Sequence, residues 1–370
     1  MQGRGQVSMI GSMGGASAGS ARFSVRLARW SVLAAAAAFA VVLPLVATAA
    51  PAGVSQEAAA YGPFGPEGPR LREQLWILPS ADHGFPLRAT VFRPAGAASS
   101  ESGGDRRPLV VINHGTSDAT RLAVAMPVYY WLSRWFVEHG YVVVLPQRRG
   151  HGATGGPMAE SIGTCADPDH IRSGLAAADD IQGAVDFMSA QPFVIPGEAI
   201  VVGISSGGWA SLALASRNSG NVRAVINIAG GRGARPFGER TDSVCGEKRL
   251  IEAAGAFGRT ARAPTLWLYA AIDSYFRPDL ARALAAAWQA GGGEAELHVF
   301  PAYGSEGHNL ADDHAGWDVW GGAIETFLAE KRSRTPVAAA EPLSVSVEPA
   351  AVAAPAPAST AASDGETRAP

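Results

Sequence analysis

Residues 199–214 read AIVVGISSGGWASLAL, and this stretch of the 370-residue chain decides the fold. An apolar run at 199–203 leads directly into Gly203-Ile204-Ser205-Ser206-Gly207, and helix-forming residues follow from Trp209. A G-x-S-x-G pattern between a strand and a helix holds its serine on a sharp turn, where the glycines avoid a clash with neighbouring backbone. The pattern therefore predicts that Ser205 is a nucleophile above the carboxyl edge of a sheet, facing the positive end of the next helix.

Strand and helix patterns alternate on both sides of Ser205. The predicted parallel strands are short runs of apolar residues, as expected for strands that helices cover on both faces. They lie at 108–113, 141–145, 199–203, 222–228, 265–269 and 295–300. The predicted helices lie at 124–138, 171–189, 207–217, 279–290 and 317–331. With an antiparallel edge at 75–78 and 87–93, the sequence predicts an α/β fold whose mostly parallel sheet has about eight strands and helices on both faces.

The globular body is predicted to span residues 51–331, and an apolar fraction of 47% is ample for one large core. Within this body, residues 230–263 interrupt the alternation of strands and helices after a strand, which predicts a small cap insertion over a site. From 332 to 370 the chain is rich in alanine and proline without an apolar period, so this tail is predicted to be disordered.

Residues 1–50 are predicted to be an export segment. Arg22 and two further arginines precede an apolar run at 30–50, and Ala47-Thr48-Ala49 fits a small-x-small cleavage site. Because the run is also just long enough to span a bilayer, an uncleaved membrane anchor is the alternative, and only then is a membrane a partner. In both cases the body lies outside the cytoplasm, so we expect a periplasmic or secreted protein.

Cys165 and Cys245 are the two cysteines of the chain. An even number of cysteines in an exported protein meets an oxidising compartment in which a disulfide persists. We therefore predict that the two residues pair. Two separate buried thiols are the alternative, because a disulfide needs Cα atoms within roughly 7 Å of each other.

The charge pattern argues against nucleic acid as a partner. The formal net charge is −3, acids and bases are nearly balanced, and no long basic run is present to neutralise a phosphate backbone. Asp167-Pro168-Asp169-His170 could suggest a metal site. A cap for the helix that begins near Ile171 explains these residues more simply, so no metal site is predicted.

A serine hydroxyl is a poor nucleophile until a base takes its proton, so a histidine and an orienting carboxylate are expected later in the chain. Asp273 lies just past the end of the strand that begins at Thr265. His308 closes a glycine-containing loop after the last strand, from which an imidazole could reach Ser205. We predict a catalytic triad of Ser205, Asp273 and His308.

Each partner of the serine has a rival in the sequence. Asp279 is the alternative acid, but it opens a predicted helix, where a carboxylate is expected to stabilise the N-terminus. His314 is the alternative base, but it lies where the next helix begins, whereas His308 follows the strand directly. Asp273 and His308 are therefore preferred.

The loop after the first parallel strand reads Asn113-His114-Gly115-Thr116, and a His-Gly pair there lets the backbone turn tightly and expose an N–H. We predict that the backbone amides of Thr116 and Ser206 form the oxyanion hole. The ring of His114 is expected to brace the loop. Arg149, in a glycine-rich loop after the next strand, is expected to tie loops together, with contact to a substrate carboxylate as the alternative.

From about residue 71 to residue 331 the chain resembles the α/β-hydrolase superfamily, specifically its dienelactone-hydrolase-like and prolyl-oligopeptidase-like branch. The residues that carry the resemblance are Asn113-His114-Gly115, Arg149-Gly150, Gly203-Ile204-Ser205-Ser206-Gly207-Gly208, Asp273 and Gly307-His308. The resemblance implies the α/β-hydrolase fold, the same nucleophile, acid and base, and no cofactor.

The chain departs from both named groups of that branch. Dienelactone hydrolases are known for a cysteine nucleophile, and Ser205 stands at this position here. Prolyl oligopeptidases carry a large N-terminal propeller, and fewer than about sixty residues separate the export segment from the first parallel strand, so no propeller is expected.

These observations predict an exported serine hydrolase that cleaves a small-molecule acyl ester in two acyl-transfer steps. Ser205 attacks the carbonyl, His308 accepts its proton, Asp273 holds the imidazole, and the two amides stabilise the oxyanion. Ester and amide cleavage use the same turn, so a peptidase or amidase is the first alternative. An acyltransferase or a non-catalytic relative is the second.

Overall fold

The computed structural model describes residues 61–96, 105–116, 119–233, 243–311 and 314–332. The predicted export segment and cleavage site, the predicted tail beyond Arg332 and the middle of the predicted insertion, 234–242, lie outside these residues. Within the described ranges, no helix is long and apolar enough to cross a membrane.

One sheet forms the centre of the described structure. Its nine strands are β1 (Gly62–Phe64), β2 (Gln74–Leu78), β3 (Leu87–Phe92), β4 (Leu109–Asn113), β5 (Val142–Gln147), β6 (Ala199–Ile204), β7 (Val222–Ile228), β8 (Thr265–Ala270) and β9 (Ala295–Phe300). Their order in space is β1-β2-β3-β5-β4-β6-β7-β8-β9. Strands β4 to β9 are parallel, and β1 to β3 form an antiparallel edge that joins at β5. The predicted α/β fold with a mostly parallel sheet is confirmed.

The sheet has one strand more than the sequence predicted. Strand β1 pairs antiparallel with β2, with Gly62 opposite Ile77. Its sequence is Gly-Pro-Phe, which is too short to show an apolar alternation and contains a proline that cannot donate to a ladder. Such a strand is recognisable only once its partner is in place.

The central strands are buried because helices cover both faces of the sheet. Every residue of β4, β6 and β8 is buried. Successive side chains along a strand point to opposite faces, so Val110 packs into one apolar cluster and Val111 into the other. The first face packs against Phe136 and Trp320, and the second packs against Trp209. This two-sided burial explains the nearly continuous apolar runs in the sequence.

The α-helices within the described residues are α1 (Tyr130–Glu138), α2 (His170–Ser189), α3 (Ser206–Ala215), α4 (Glu247–Gly258), α5 (Pro278–Ala290) and α6 (Gly322–Arg332). Helix α1 begins six positions later than the predicted 124–138, because Pro127 disfavours helical backbone in the residue before it. Helix α2 begins as the sequence predicts, with the Asp169 carboxylate accepting the N–H of Arg172 at 2.8 Å. Helix α6 is shorter than predicted because a π-helical turn, Trp317–Gly321, precedes it.

Helix α4 lies inside the predicted cap insertion, 230–263. Its residues Leu250 and Phe257 belong to the same apolar cluster as Trp209 and α5, and Gly258 packs directly against the backbone of Trp288. The helix is therefore part of the layer that covers one face of the sheet. The backbone on its N-terminal side, at Gly231 to Gly233 and Cys245, is what reaches the cavity beside Ser205.

Candidate active site

Ser205 occupies the sharp turn between β6 and α3. Its backbone has φ 55° and ψ −123°, a conformation that an L-residue adopts only under constraint. Three hydrogen bonds provide that constraint. The N–H of Ser205 donates to Ile228 O at 3.0 Å, and its carbonyl accepts N–H groups from Trp209 at 3.2 Å and Gly231 at 3.1 Å.

The glycines around the turn are required by close approach of the backbone. A Cβ on Gly115 would lie 2.8 Å from Ser205 Cβ, closer than real side chains come. A Cβ on Gly207 would collide with the carbonyl of Asn113, and one on Gly203 would collide with the backbone of Gly207. The G-x-S-x-G pattern and the His-Gly pair thus meet at one point, where the loop after β4 passes over the Ser205 turn.

Asp273 and His308 come together at the same edge of the sheet. Asp273 follows β8 and is 6% exposed, and His308 follows β9 and is 8% exposed. His308 Nδ1 lies 3.2 Å from Asp273 Oδ1 and 3.1 Å from Oδ2. Asp273 Oδ1 also accepts the N–H groups of Tyr275 at 2.8 Å and Phe276 at 2.9 Å. Nδ1 is therefore the ring nitrogen that the carboxylate holds, and Nε2 is the other ring nitrogen.

The rings of Tyr275 and Phe276 pack against the imidazole of His308, with ring centroids 4.3 Å and 5.8 Å away. The segment after β8 thus supplies both the carboxylate that bonds the imidazole and the aromatic surface that restricts its rotation.

Glu306 is a residue of this site that the sequence analysis did not single out. Its Oε1 accepts the N–H of His308 at 2.9 Å and the N–H of Ser274 at 3.2 Å. Burial raises the pKa of the Glu306 carboxyl, but hydrogen bonds from Ser274 and His308 outweigh it, and the net pKa lies below the usual glutamate value. The glutamate therefore ties the two loops that carry Asp273 and His308. The sequence Glu-Gly-His offered only the weak signal of an acid two positions before the histidine.

The rival acid and base lie elsewhere. Asp279 is exposed in the first turn of α5 and pairs with the half-buried Arg277, with Oδ2 3.0 Å from Nε. His314 is exposed and its ring contacts those of Trp131 edge-on and Trp317 at a tilt, with ring centroids 5.1 Å and 4.5 Å away. Neither residue lines the cavity that Ser205 and His308 share.

The loop after β4 lies next to the start of α3. The N–H of Thr116, one of the two predicted oxyanion donors, donates to Ser206 Oγ at 3.0 Å. The preceding N–H, of Gly115, donates to the phenol oxygen of Tyr129 at 3.1 Å. The structure thus brings Thr116 and Ser206 together beside Ser205 and holds the loop between them.

The ring of His114 is buried under this loop, where the sequence analysis placed a bracing imidazole. Its Nε2 accepts the N–H of Arg148 at 3.2 Å, and its Nδ1 lies 3.3 Å from Gly115 O. These partners fit a neutral ring protonated on Nδ1. Burial, followed by the positive charges of Arg148 and His151, lowers the pKa of His114 well below the ordinary histidine value.

Two adjacent arginines fix the loop after β5. Arg149 binds Asp180 of α2, with its Nε 2.7 Å from Oδ1 and its N–H 2.9 Å from Oδ2, as expected of an arginine that ties loops together. Arg148, which the sequence analysis did not assign, is fully buried and donates from Nη1 to His114 O at 2.8 Å and from Nε to Glu160 at 3.1 Å.

Glu160 balances the charge in that buried region. Burial raises the pKa of its carboxyl. The charges of Arg148, Arg232 and His151 lower the pKa by more than burial raises it, so the net pKa lies below the usual glutamate value. The ionised glutamate therefore compensates Arg148, whose side chain is only 1% exposed. A buried pair of this kind fixes geometry more than it adds stability.

A cavity of about 820 Å³ opens beside Ser205. Its walls include the loop after β4, residues 158–173, the segment 231–233 with Cys245, and the aromatic segment after β8. Ser205, Ser206 and His308 all line it, so the predicted nucleophile and the predicted base face one common space.

The sequence model of the dienelactone hydrolase family matches residues 126–330. The match covers more than half of the chain and includes Ser205, Asp273 and His308. This chain belongs to the dienelactone hydrolase family. Its assignment to the α/β-hydrolases, within the dienelactone-hydrolase-like and prolyl-oligopeptidase-like branch, is therefore confirmed, and the chain is a hydrolase.

Several solved structures are similar to this chain. The Mycobacterium tuberculosis puromycin-hydrolyzing peptidase is 20% identical, with a TM-score of 0.51, over 70% of this chain and 39% of that one. The Pyrococcus horikoshii acylaminoacyl peptidase is 16% identical, with a TM-score of 0.49, over 73% and 42%. The Butyrivibrio proteoclasticus protein Est1E is 14% identical, with a TM-score of 0.46, over 70% and 99%. This hydrolase spans about two fifths of each peptidase. No curated protein sequence matches it.

The hydrolase contains the predicted disulfide between Cys165 and Cys245, whose Cα atoms are 4.8 Å apart. Both cysteines line the cavity, and the carbonyl of Cys245 lies 2.9 Å from His170 Nε2. The bond joins the loop before α2 to the chain before α4. It therefore fixes the wall of the cavity that faces Ser205.

The residues considered for a metal in this hydrolase have other partners. Asp169 caps α2, His170 contacts the carbonyl of Cys245, and Asp167 pairs with Arg249. Among the residues that the structure describes, no three His, Cys, Asp or Glu side chains form a cluster that could hold a metal ion.

Proposed function

We propose that this protein is an exported serine hydrolase that cleaves carboxylic esters of small molecules through an acyl-enzyme formed on Ser205. The observation that carries the proposal is the position of the strained Ser205 turn and the Asp273–His308 pair around one cavity. A nucleophile, a base and an orienting carboxylate in one accessible space are the groups that acyl transfer requires.

In the first step, Ser205 Oγ attacks the ester carbonyl while His308 Nε2 accepts the serine proton. Asp273, already bonded to Nδ1 at 3.1 Å, stabilises the imidazolium that results. When the tetrahedral intermediate collapses, His308 returns the proton to the leaving alcohol, and the acyl group stays on Ser205. In the second step, His308 removes a proton from water, the hydroxide attacks the acyl-enzyme, and Ser205 is regenerated as the acid leaves.

The negative charge that forms on the carbonyl oxygen needs fixed donors nearby. The backbone N–H of Ser206 is one candidate, since it is the first residue of α3 and has no helical partner. The amide of Thr116 is the second candidate, and its N–H donates to Ser206 Oγ at 3.0 Å. The positive end of the α3 dipole favours the same charge.

Three features support the proposal, two for an ester as the substrate and one for an exported location. The family is named for a lactone, which is a cyclic ester. The cavity has apolar walls at Tyr129, Met158 and Phe276 that suit an acyl chain. The disulfide is consistent with a compartment outside the reducing cytoplasm, in line with the export segment expected at 1–50.

The test compares the purified protein with Ser205→Ala, using a fluorophosphonate probe and paired substrates. Ser216→Ala is the control, because this serine ends α3 and donates to Ala213 O away from the cavity. We expect Ser205→Ala to abolish labelling and to lower kcat for acyl esters by at least about 10⁴-fold, while Ser216→Ala keeps both. Labelling that persists in Ser205→Ala would overturn the nucleophile.

The same assay decides the substrate class. Nitrophenyl esters of increasing acyl length are compared with anilides of the same acyl groups and with short peptide anilides. We expect the esters to be cleaved and the matched anilides to be cleaved much more slowly. Faster cleavage of an anilide than of its matched ester would assign a peptidase or amidase activity in place of the esterase.

A further inference from the structure

The residue after Ser205 carries a hydroxyl of its own, and this residue lines the same cavity. Ser206 is 5% exposed, and the surface that it keeps lines the cavity shared by Ser205 and His308. Its Oγ accepts the backbone N–H of Thr116 at 3.0 Å. The side chain of Ser206 therefore lies between the start of α3 and the loop that was expected to supply the second oxyanion donor.

The hydrogen of the Ser206 hydroxyl is still available for donation. A serine hydroxyl is one donor and can accept through two lone pairs, and here the contact with Thr116 uses an acceptor position. Among the residues that the structure describes, Ser206 Oγ–H has no acceptor within hydrogen-bond distance. Ser211 of α3 and Ser216, which caps its C-terminus, use theirs, since Ser211 donates to Gly207 O at 2.8 Å and Ser216 donates to Ala213 O at 2.7 Å.

Ser206 differs because it is the first residue of the helix. The residues three and four positions before it belong to β6, so no helical carbonyl lies behind its side chain to accept the hydrogen. The hydroxyl can therefore turn its hydrogen into the cavity without losing the bond from Thr116.

We propose that the Ser206 hydroxyl is a catalytic donor that hydrogen-bonds the oxyanion formed during acyl transfer on Ser205, while the N–H of Thr116 orients and polarises it. This inference rests on the proposed function and names a further residue of the same site. A hydrogen bond received by the hydroxyl oxygen strengthens the bond that its hydrogen donates. A bond to an oxyanion is stronger than one to a neutral carbonyl, so the contact favours the transition state over bound substrate.

The loop that holds Thr116 is fixed in advance, as this role requires. Arg148 donates to His114 O at 2.8 Å, and the N–H of Gly115 donates to the phenol of Tyr129 at 3.1 Å. The donor to Ser206 therefore has a set position before any substrate charge develops. Preorganised dipoles of this kind need no rearrangement at the moment of reaction.

A simpler role for Ser206 makes the opposite prediction. If the hydroxyl only covers the N–H of Thr116, its removal frees that amide to bind the oxyanion directly, and kcat stays the same or rises. If the hydroxyl is itself the donor, its removal lowers kcat and leaves KM nearly unchanged, because the lost contact is made mainly in the transition state.

The experiment measures kcat and KM of Ser206→Ala, Ser206→Gly and Ser206→Thr for a nitrophenyl ester, with Ser216→Ala as the control on the same helix. We expect Ala and Gly to lower kcat by about 10²-fold with KM within about threefold of the parent, and Thr, which keeps a hydroxyl, to stay within about fivefold. Thermal unfolding of each variant identifies any that does not fold. Ser206→Ala and Ser206→Gly both remove the hydroxyl, so either folded variant is sufficient for the test.

Binding of an alkyl trifluoromethyl ketone provides a second measurement, which would not change if Ser206 had only a structural role. The adduct of this inhibitor with Ser205 carries an oxyanion, so its inhibition constant should weaken by about the same factor as kcat in Ser206→Ala. A fall in kcat of less than fivefold, a rise in kcat, or equal losses in the Ala and Thr variants would overturn the role of Ser206. Full esterase activity in Ser205→Ala would instead overturn the proposed function, whatever the Ser206 variants do.

Discussion

Asp273 Oδ1 accepts two backbone N–H groups, from Tyr275 and Phe276, while its carboxylate also binds His308 Nδ1. The carboxylate is thus fixed by its own loop before it holds the imidazole. An orientation set in this way keeps the histidine in the tautomer whose Nε2 can accept a proton.

The first prediction concerns that tautomer. In Asp273→Asn the side chain keeps its size, but an amide nitrogen can donate to Nδ1 and stabilise the ring protonated on Nε2, which cannot act as base. We expect kcat for an ester to fall by about 10³- to 10⁴-fold with little change in thermal unfolding. Steady-state kinetics check this. Asp279→Asn is the matched control, because that carboxylate pairs with Arg277 on the surface, and equal losses in both variants would contradict the assignment of Asp273.

The second prediction concerns the disulfide in the cavity wall. The bond between Cys165 and Cys245 closes a loop of 80 residues, and chain entropy alone assigns such a crosslink about 4–5 kcal/mol of stability. We expect the double variant Cys165→Ser/Cys245→Ser to lose about 2–5 kcal/mol of unfolding free energy and to raise KM more than it lowers kcat. Urea unfolding and ester kinetics measure both.

Treatment of the parent protein with a reductant serves as the control for the disulfide variant. The reduced protein should reproduce the lower unfolding free energy and the higher KM without any change of sequence. An unfolding free energy within about 0.5 kcal/mol of the oxidised parent would show that the crosslink does not constrain the chain.

The sequence predicted the parts of this site that depend on neighbours in the chain. The turn at Ser205 was predictable because the glycines, the strand and the helix that shape it are contiguous. Asp273 and His308 were predictable because each follows a recognisable strand, and the ends of parallel strands meet at one edge of a sheet. The hydrogen bond from the N–H of Thr116 to Ser206 Oγ was not predictable, because it joins a loop to the first residue of α3 across 90 residues of chain.

Buried charge was the other feature that the sequence could not predict. Arg148 and Arg149 are adjacent and look equivalent, yet Arg148 is fully buried against Glu160, and Arg149 reaches α2. Successive side chains at the end of a strand point in opposite directions, so a shift of one residue in the strand would exchange the buried and the outer arginine. The role of Glu306 depended in the same way on the distance between two loops.

The third prediction follows from the buried histidines. Burial is the main cause that lowers the pKa of His114, His151 and His170 in the folded protein below the ordinary value near 6.5. Below about pH 6.5 the unfolded chain therefore binds more protons than the folded one, and stability falls as the pH falls. Each group whose folded pKa lies below the range studied contributes a slope of up to about 1.4 kcal/mol per pH unit.

Urea unfolding at several values between pH 5 and pH 7.5 tests this sign. The unfolding free energy should be flat above about pH 7 and decrease below about pH 6.5. His114→Gln should have a shallower decrease than the parent, because one of the three groups no longer titrates. A parent protein whose stability rises on acidification through this window would contradict the burial of neutral imidazoles.

The last prediction concerns Gly115, the glycine that contacts Ser205. A Cβ on Gly115 would lie 2.8 Å from Ser205 Cβ and 3.2 Å from Ile204 O, so Gly115→Ala must displace either the nucleophile turn or the loop that carries Thr116. A displacement of about 1 Å costs roughly 10²-fold in rate, and strain in a packed region costs about 1–3 kcal/mol. We expect kcat and the rate of fluorophosphonate labelling to fall together by about that rate factor. Gly220→Ala is the control, because its Cβ would have no neighbour within 4 Å. A Gly115→Ala variant with parental kcat would show that the loop moves aside freely and does not set the position of Ser205.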